Sequence, residues 1–234
     1  MTPAGQPPLG LTAHQAVVPR DLALLGLPPG NWPATVPDPD GRPMLDVLVV
    51  GAGMCGIAAA AALLRNGIRN ILVVDRAAEG REGPWMTYAR MGTLRSPKHL
   101  PGPCAGVPAL TFRAWYEALH GPAWWDALYK IPNADWQDYL TWLHHVLALP
   151  VRHGVAVSSL EPLPRCLRAT LDDDSVVHAR RIVLATGRDG AGGIAIPGAA
   201  GVSHRRGAGG AAVRLAGNPR GDECGRLIRP NWRG

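Results

Sequence analysis

Residues 46–75 read DVLVV GAGMCG IAAAAALLRNG IRN ILVVD, and their order decides the fold. The run 47–50 is short and wholly apolar, as expected of a parallel strand buried on both faces. Gly51, Gly53 and Gly56 follow in G-x-G-x-x-G spacing. An alanine-rich segment of high helix propensity then leads to a second apolar run, which ends at Asp75, 19 residues after Gly56. Strand, glycine turn, helix and parallel strand make a βαβ unit of about 30 residues.

Each glycine has a separate task. Gly51 lets the chain turn off the strand, Gly53 lets backbone approach a pyrophosphate, and Gly56 lets the helix pack closely. With Met54 and Cys55 in the same turn, the helix start offers free N–H groups and a partial positive charge to phosphates. Asp75 places a carboxylate where ribose hydroxyls can donate to it. The whole pattern therefore points to a dinucleotide. A glycine turn in another α/β domain, or the glycine loop of a methyltransferase, needs only part of it.

Composition narrows the class. A chain of 234 residues with 47% hydrophobic content can bury a sizeable core as one large or two small domains. The apolar run 57–64 is too short to span a bilayer, and no secretory signal is visible, so a cytoplasmic protein with no membrane partner is expected. Cys55, Cys104, Cys166 and Cys224 are scattered without metal-like spacing, which fits reduced thiols. The net charge of +6 suggests nucleic acid, but residues 201–234 hold seven arginines and two acids, so +5 of it lies there. The rest is close to neutral and gives no basic face for nucleic acid.

Around the βαβ unit the chain divides. Residues 1–43 hold ten prolines and read as a mostly irregular extension, with a short helix conceivable at 20–27 and Trp32 as an anchor. After Asp75 comes a long glycine- and proline-punctuated loop carrying Arg76, Trp85, Tyr88, Arg90, Arg95 and Lys98. These are groups suited to a flat, charged ligand. Residues 111–149 read as a helical insert, opened at Thr111 or Phe112 and capped again at Asn133 or Asp135. Five of the eight tryptophans fall here, and Trp136, Leu140, Leu143 and Leu147 share one helical face, so a packed insert is favoured over a substrate lid. His144 and His145, adjacent on a helix, read as a surface pair. Residues 151–185 turn to strand character, with Asp172, Asp173 and Asp174 as a solvated hairpin turn.

Taken with Asp75-Arg76, the GAGMCG turn and the Gly83-Pro84-Trp85 segment resemble the FAD domain of flavin-containing monooxygenases and their Baeyer–Villiger and N-hydroxylating relatives. In that family a G-G-T-W-like segment lies near the flavin, and an A-T-G segment marks where the last strand of the domain meets the cofactor. Here these are Gly-Pro-Trp and Ala185-Thr186-Gly187. The resemblance covers residues 45–198. It implies an α/β, Rossmann-like FAD/NAD(P)-binding domain over 44–198, with a parallel sheet, the helical insert and a small β-hairpin or meander. It implies FAD held by Gly51, Gly53, Met54, Cys55, Gly56, Asp75, Arg76, Trp85, Ala185, Thr186 and Gly187. It also implies NADPH as co-substrate in intact relatives and oxygenation of a small-molecule substrate. No catalytic side chain and no metal ligand is singled out, and oligomeric state is left open. A nicotinamide-dependent dehydrogenase and a non-catalytic flavoprotein remnant stay as alternatives.

The family continues after A-T-G with a second glycine motif for NADPH. Residues 199–234 instead form a glycine- and arginine-rich, irregular tail. From about Gly201 they read as an out-of-frame or broken end of a GC-rich gene, for which a one-frame shift of the DNA would restore a second βαβ unit. A genuine tail for acidic partners is the competing reading.

Overall fold

The computed structural model describes residues 8–187 and 214–215. Strand β1 (Leu45–Val50) runs into helix α2 (Met54–Arg65) and returns as β2 (Ile71–Asp75), parallel to β1 with Val50 beside Val74. Among the described residues one sheet runs in the order β3 (Val151–His153), β2, β1, β6 (Val176–Leu184), β5 (Leu167–Leu171), β4 (Val157–Pro162) and β7 (Arg214–Leu215). Its parallel half comprises β3, β2, β1 and the second half of β6. The first half of β6 pairs antiparallel with β5, and β5 with β4, giving the expected meander. One nine-residue strand thus serves both the hairpin and the parallel core. The two-residue strand β7 lies parallel to β4. The rest of the glycine- and arginine-rich tail, and the expectations attached to it, lie outside the described residues. No helix among the described residues is long and apolar enough to cross a membrane.

The alternation of β1 sorts two cores. Val47 and Val49 face the helices, while Leu48 and Val50 join Val74, Val157, Leu160, Leu171 and Ala179 on the other face. Both faces are therefore closed, which is why the strand is apolar throughout. At the hairpin, the Asp172 Oδ1 accepts from the Ala156 N–H (3.0 Å), and Asp173 Oδ1 from the Ser175 hydroxyl (2.6 Å). Asp174 takes the left-handed conformation that the turn needs. Asp173 is thus tied into the turn itself, and Asp172 ties the turn to the residue before β4.

The N-terminal extension departs from the irregular reading. Residues 11–24 form a helix, α1 (Leu11–Leu24), with Pro19 inside it. Proline costs one internal hydrogen bond, and tertiary contact outweighs that loss. Val18 is completely buried, and His14 Nε2 lies 2.9 Å from the Ala109 carbonyl. Further along, the Trp32 indole donates to Asn66 O (2.8 Å) at the end of α2, and Asp38 Oδ2 pairs with buried His178 (3.1 Å). The extension is pinned by polar bonds that no periodicity announces.

The insert consists of α3 (Phe112–His120), α4 (Pro122–Ala127) and α5 (Asn133–Val146). Thr111 caps α3, its hydroxyl accepting from Ala114 N (3.2 Å). The expected cap at Asn133 or Asp135 is not formed. Pro132 occupies that position, and Asn133 turns its amide to the Met91 carbonyl instead (2.6 Å). Phe112, the only phenylalanine of the chain, has Trp115, Tyr116, Trp125, Trp136 and Tyr139 within 5.4–6.3 Å, centroid to centroid. Trp115, Trp125, Trp136 and Trp142 are buried, and only Trp124 of the five faces solvent.

Two consequences can be measured. Phe112→Ala removes the centre of this cluster and should cost about 3–5 kcal/mol of unfolding free energy in urea titrations. A loss below about 1 kcal/mol would show that the aromatic layer is not the core. Separately, His14 and His144 are both buried, and burial lowers the pKa of each. His144 falls from 6.5 to about 4, with His145 and His153 adding to the effect and Glu79 opposing it. Histidines lowered in this way bind fewer protons folded than unfolded. Their contribution is present in full above pH 6.5 and is lost as pH falls towards about 4. Stability measured across that window should decline, and the His14→Gln/His144→Gln pair should flatten the decline.

Candidate functional site

The C-terminal ends of β2, β1 and β6 lie side by side, and the glycine turn sits on the middle one. Gly51 has φ +107°, and a Cβ there would overlap the Ala185 carbonyl. Ala185 N in turn donates to Val50 O (2.8 Å). The first glycine and the Ala185-Thr186-Gly187 segment therefore touch, as the motif pair requires. A Cβ on Gly56 would overlap Gly51 O, with Val49 behind it. The third glycine thus admits the turn itself as well as the sheet.

Gly53 is different. Its φ of −66° suits any residue, and a Cβ there would meet only Gly83, at ordinary contact distance (3.8 Å). The protein alone places no demand for glycine at this position. The first intrahelical bond of α2 is Ile57 N to Gly53 O (3.0 Å), which leaves the N–H groups of Met54, Cys55 and Gly56 at the open end of the helix. Met54 and Cys55 belong to this first helical turn and have exposed side chains. The Cys55 thiol thus faces outward, whereas its position in the motif predicts a small apolar group filling the glycine turn.

Asp75 holds the turn from the neighbouring strand. Its Oδ2 accepts from Ala52 N (2.6 Å) and its Oδ1 from Ala77 N (2.8 Å). Each carboxylate oxygen keeps a lone pair for another donor. Arg76, next in sequence, is exposed. Trp85 is half-buried, edge-on to Trp136 (6.2 Å, 75°). Its Nε1 has no acceptor among the described residues and lies beside Gly83, which meets Gly53. Lys98, by contrast, is committed elsewhere, donating to Trp125 O (2.7 Å) with its ammonium over that indole.

Periodicity missed a buried polar group next to the turn. Glu82 is only 5% exposed; its Oε2 accepts from Gln137 Nε2 (2.8 Å), and its Oε1 lies 2.7 Å from His153 Nε2. His144 is buried beside them, its ring 4.1 Å from that of His145. The histidine pair is therefore not a surface pair. Helix spacing carried the signal, since His144 follows Leu140 by four residues on the buried face of α5.

A third of the length of one curated relative is spanned by this chain. That protein is the FAD-dependent urate hydroxylase of Xanthomonas campestris pv. campestris, 50% identical over 154 residues, or 65% of this chain and 33% of the relative. Among solved structures, a flavin-containing monooxygenase from Stenotrophomonas maltophilia aligns at a TM-score of 0.49 and 24% identity, covering 62% of this chain and 39% of that one. OTEMO in complex with FAD and NADP aligns at 0.45 and 20%, covering 62% and 26%. The model of the FAD-NAD(P)-binding family matches residues 48–189, more than half of the chain, and the chain belongs to that family.

Proposed function

We propose that residues 44–198 are the FAD-binding part of a monooxygenase-like oxidoreductase acting on a small organic molecule. The observation that carries this reading is the contrast among the three glycines. Gly51 and Gly56 are required by the protein's own packing, whereas Gly53 is required by nothing among the described residues. A bare backbone at that point is explained by a ligand that comes close to it.

The residues present fit an adenine dinucleotide. Gly53 and the N–H groups of Met54, Cys55 and Gly56 would hold the pyrophosphate at the positive end of α2. The remaining lone pairs of Asp75 would take the ribose hydroxyls, with Arg76 beside them. Gly51 and Ala185-Thr186-Gly187 would back the cofactor where β1 and β6 end. Trp85, with its indole N–H lacking a protein acceptor beside Gly83 and Gly53, would border the same ligand. FAD bound there would supply redox chemistry for oxygenation, and these residues would bind and orient it. Half identity to a urate hydroxylase makes urate the first substrate to offer the complete enzyme. The free thiols Cys55, Cys104 and Cys166 support a reducing, cytoplasmic setting.

The test is an absorbance spectrum of the purified chain after addition of FAD and gel filtration. Retained flavin bands are expected. Gly53→Ala should keep the melting transition and weaken FAD by about tenfold or more, equivalent to ~1.4 kcal/mol. Unchanged FAD affinity in that variant would overturn the assignment. Asp75→Asn should lower both, because the uncharged amide loses a charge-assisted bond to the turn worth about 2 kcal/mol.

A further inference from the structure

Asp75 is followed after three residues by Glu79, and α5 ends on the pair His144-His145. Sequence separation hides that these groups meet. Parallel pairing sets Asp75 of β2 beside His153 of β3, and α5 packs over α2, so the loop leaving β2 passes the end of α5. There, Glu79 Oε1 lies 2.7 Å from His145 Nε2 and 3.5 Å from His144 Nε2. One ligand atom from each of the three residues falls within 4.8 Å of the other two.

We propose that Glu79, His144 and His145 form a binding site for a divalent transition-metal ion of the zinc class, which clips the loop after β2 to helix α5. Two imidazoles and one carboxylate are a borderline donor set suited to such ions and poorly suited to calcium or magnesium. Metal–ligand bonds of about 2.1 Å in tetrahedral array separate ligand atoms by roughly 3.4 Å. The His144–Glu79 distance already matches this; His145, stacked on His144 at 4.1 Å and 27°, is exposed and turns out of that stack to aim its lone pair at the same ion.

A second observation points the same way. His144 is 6% exposed, and its Nε2 makes no hydrogen bond among the described residues. The nearby Glu79 Oε1, at 3.5 Å, does not form a hydrogen bond with it, and leaving a buried nitrogen so unsatisfied costs free energy. Behind His144 stands His153, edge-on at 5.6 Å and itself against Glu82, which is bonded to Gln137. That second row keeps the His144 ring in place and is not free to supply ligands. Glu79 and His145 face solvent, so water completes the coordination and the ion enters from outside.

The experiment is titration of the full chain, without an affinity tag, with Zn2+ against a chromogenic chelator, followed by Co2+ in place of Zn2+. One equivalent of Zn2+ should bind with micromolar or tighter affinity, raise the melting temperature, and give a Co2+ spectrum with ligand-field bands of a low-coordinate site. Glu79→Gln and His145→Gln alter exposed side chains and should each weaken Zn2+ at least tenfold. His99→Gln and His120→Gln should leave it unchanged. Equal affinity in Glu79→Gln, or loss spread evenly over all four variants, would overturn the site and indicate scattered surface histidines. Gly53→Ala should bind Zn2+ normally, so this result stands or falls separately from the flavin assignment.

Discussion

The bond from Ala52 N–H to the Asp75 carboxylate ties the functional end of the molecule together. It spans 23 residues, yet it follows from topology alone, because parallel strands bring their C-terminal ends level. The same register sets Ala185 against Gly51 on the other side. Three strand ends thus meet at a turn whose one side chain is the buried methyl of Ala52. Had any of the strands run antiparallel, its far end would carry the turn away from its neighbours. The carboxylate therefore acts first on the protein, stiffening the turn, and has lone pairs left for a ligand.

Much of this was legible because it depends on local pattern. Gly51, Gly53, Gly56 and Asp75 sit at fixed offsets in a βαβ unit, and such offsets are set by strand and helix rise. The meander and the helical insert also followed from runs and spacing; the weight on Ala185-Thr186-Gly187 came from the family resemblance, and its contact with the turn from the structure. Helix α1 did not. Ten prolines argued for irregular chain, and Pro19 does weaken the helix, but the burial of Val18 and the bond from His14 to Ala109 are long-range facts. Propensity gives way when a segment has a surface to fold on. At Asn133 the capping signal was present and its partner was not, because Met91 and Trp85, more than forty residues upstream, compete for the amide.

The three glycines of one motif show how far sequence reading reaches. The motif gives each a separate task, and the structure supplies the atoms behind the division. Gly51 needs a backbone conformation, Gly56 needs space against a carbonyl, and Gly53 needs neither. Gly53 alone of the three is left without a fold requirement among the described residues, and it is the glycine to which the motif gives the ligand-facing task.

Glu82 explains why the helical insert belongs to the site rather than beside it. Burying a carboxylate is costly unless it is paired, and its partners here are Gln137 from α5 and His153 from β3. Both form only when the insert has folded onto the sheet. The next residue, Gly83, meets Gly53; two further on, Trp85 leans on Trp136 and offers its carbonyl to Asn133 (3.4 Å). The loop is thus fixed at three successive points by α5 and the glycine turn together. A long glycine-rich segment that periodicity describes only as a loop is held by buried polar bonds, and the place of Trp85 beside the turn is a result of how the insert packs.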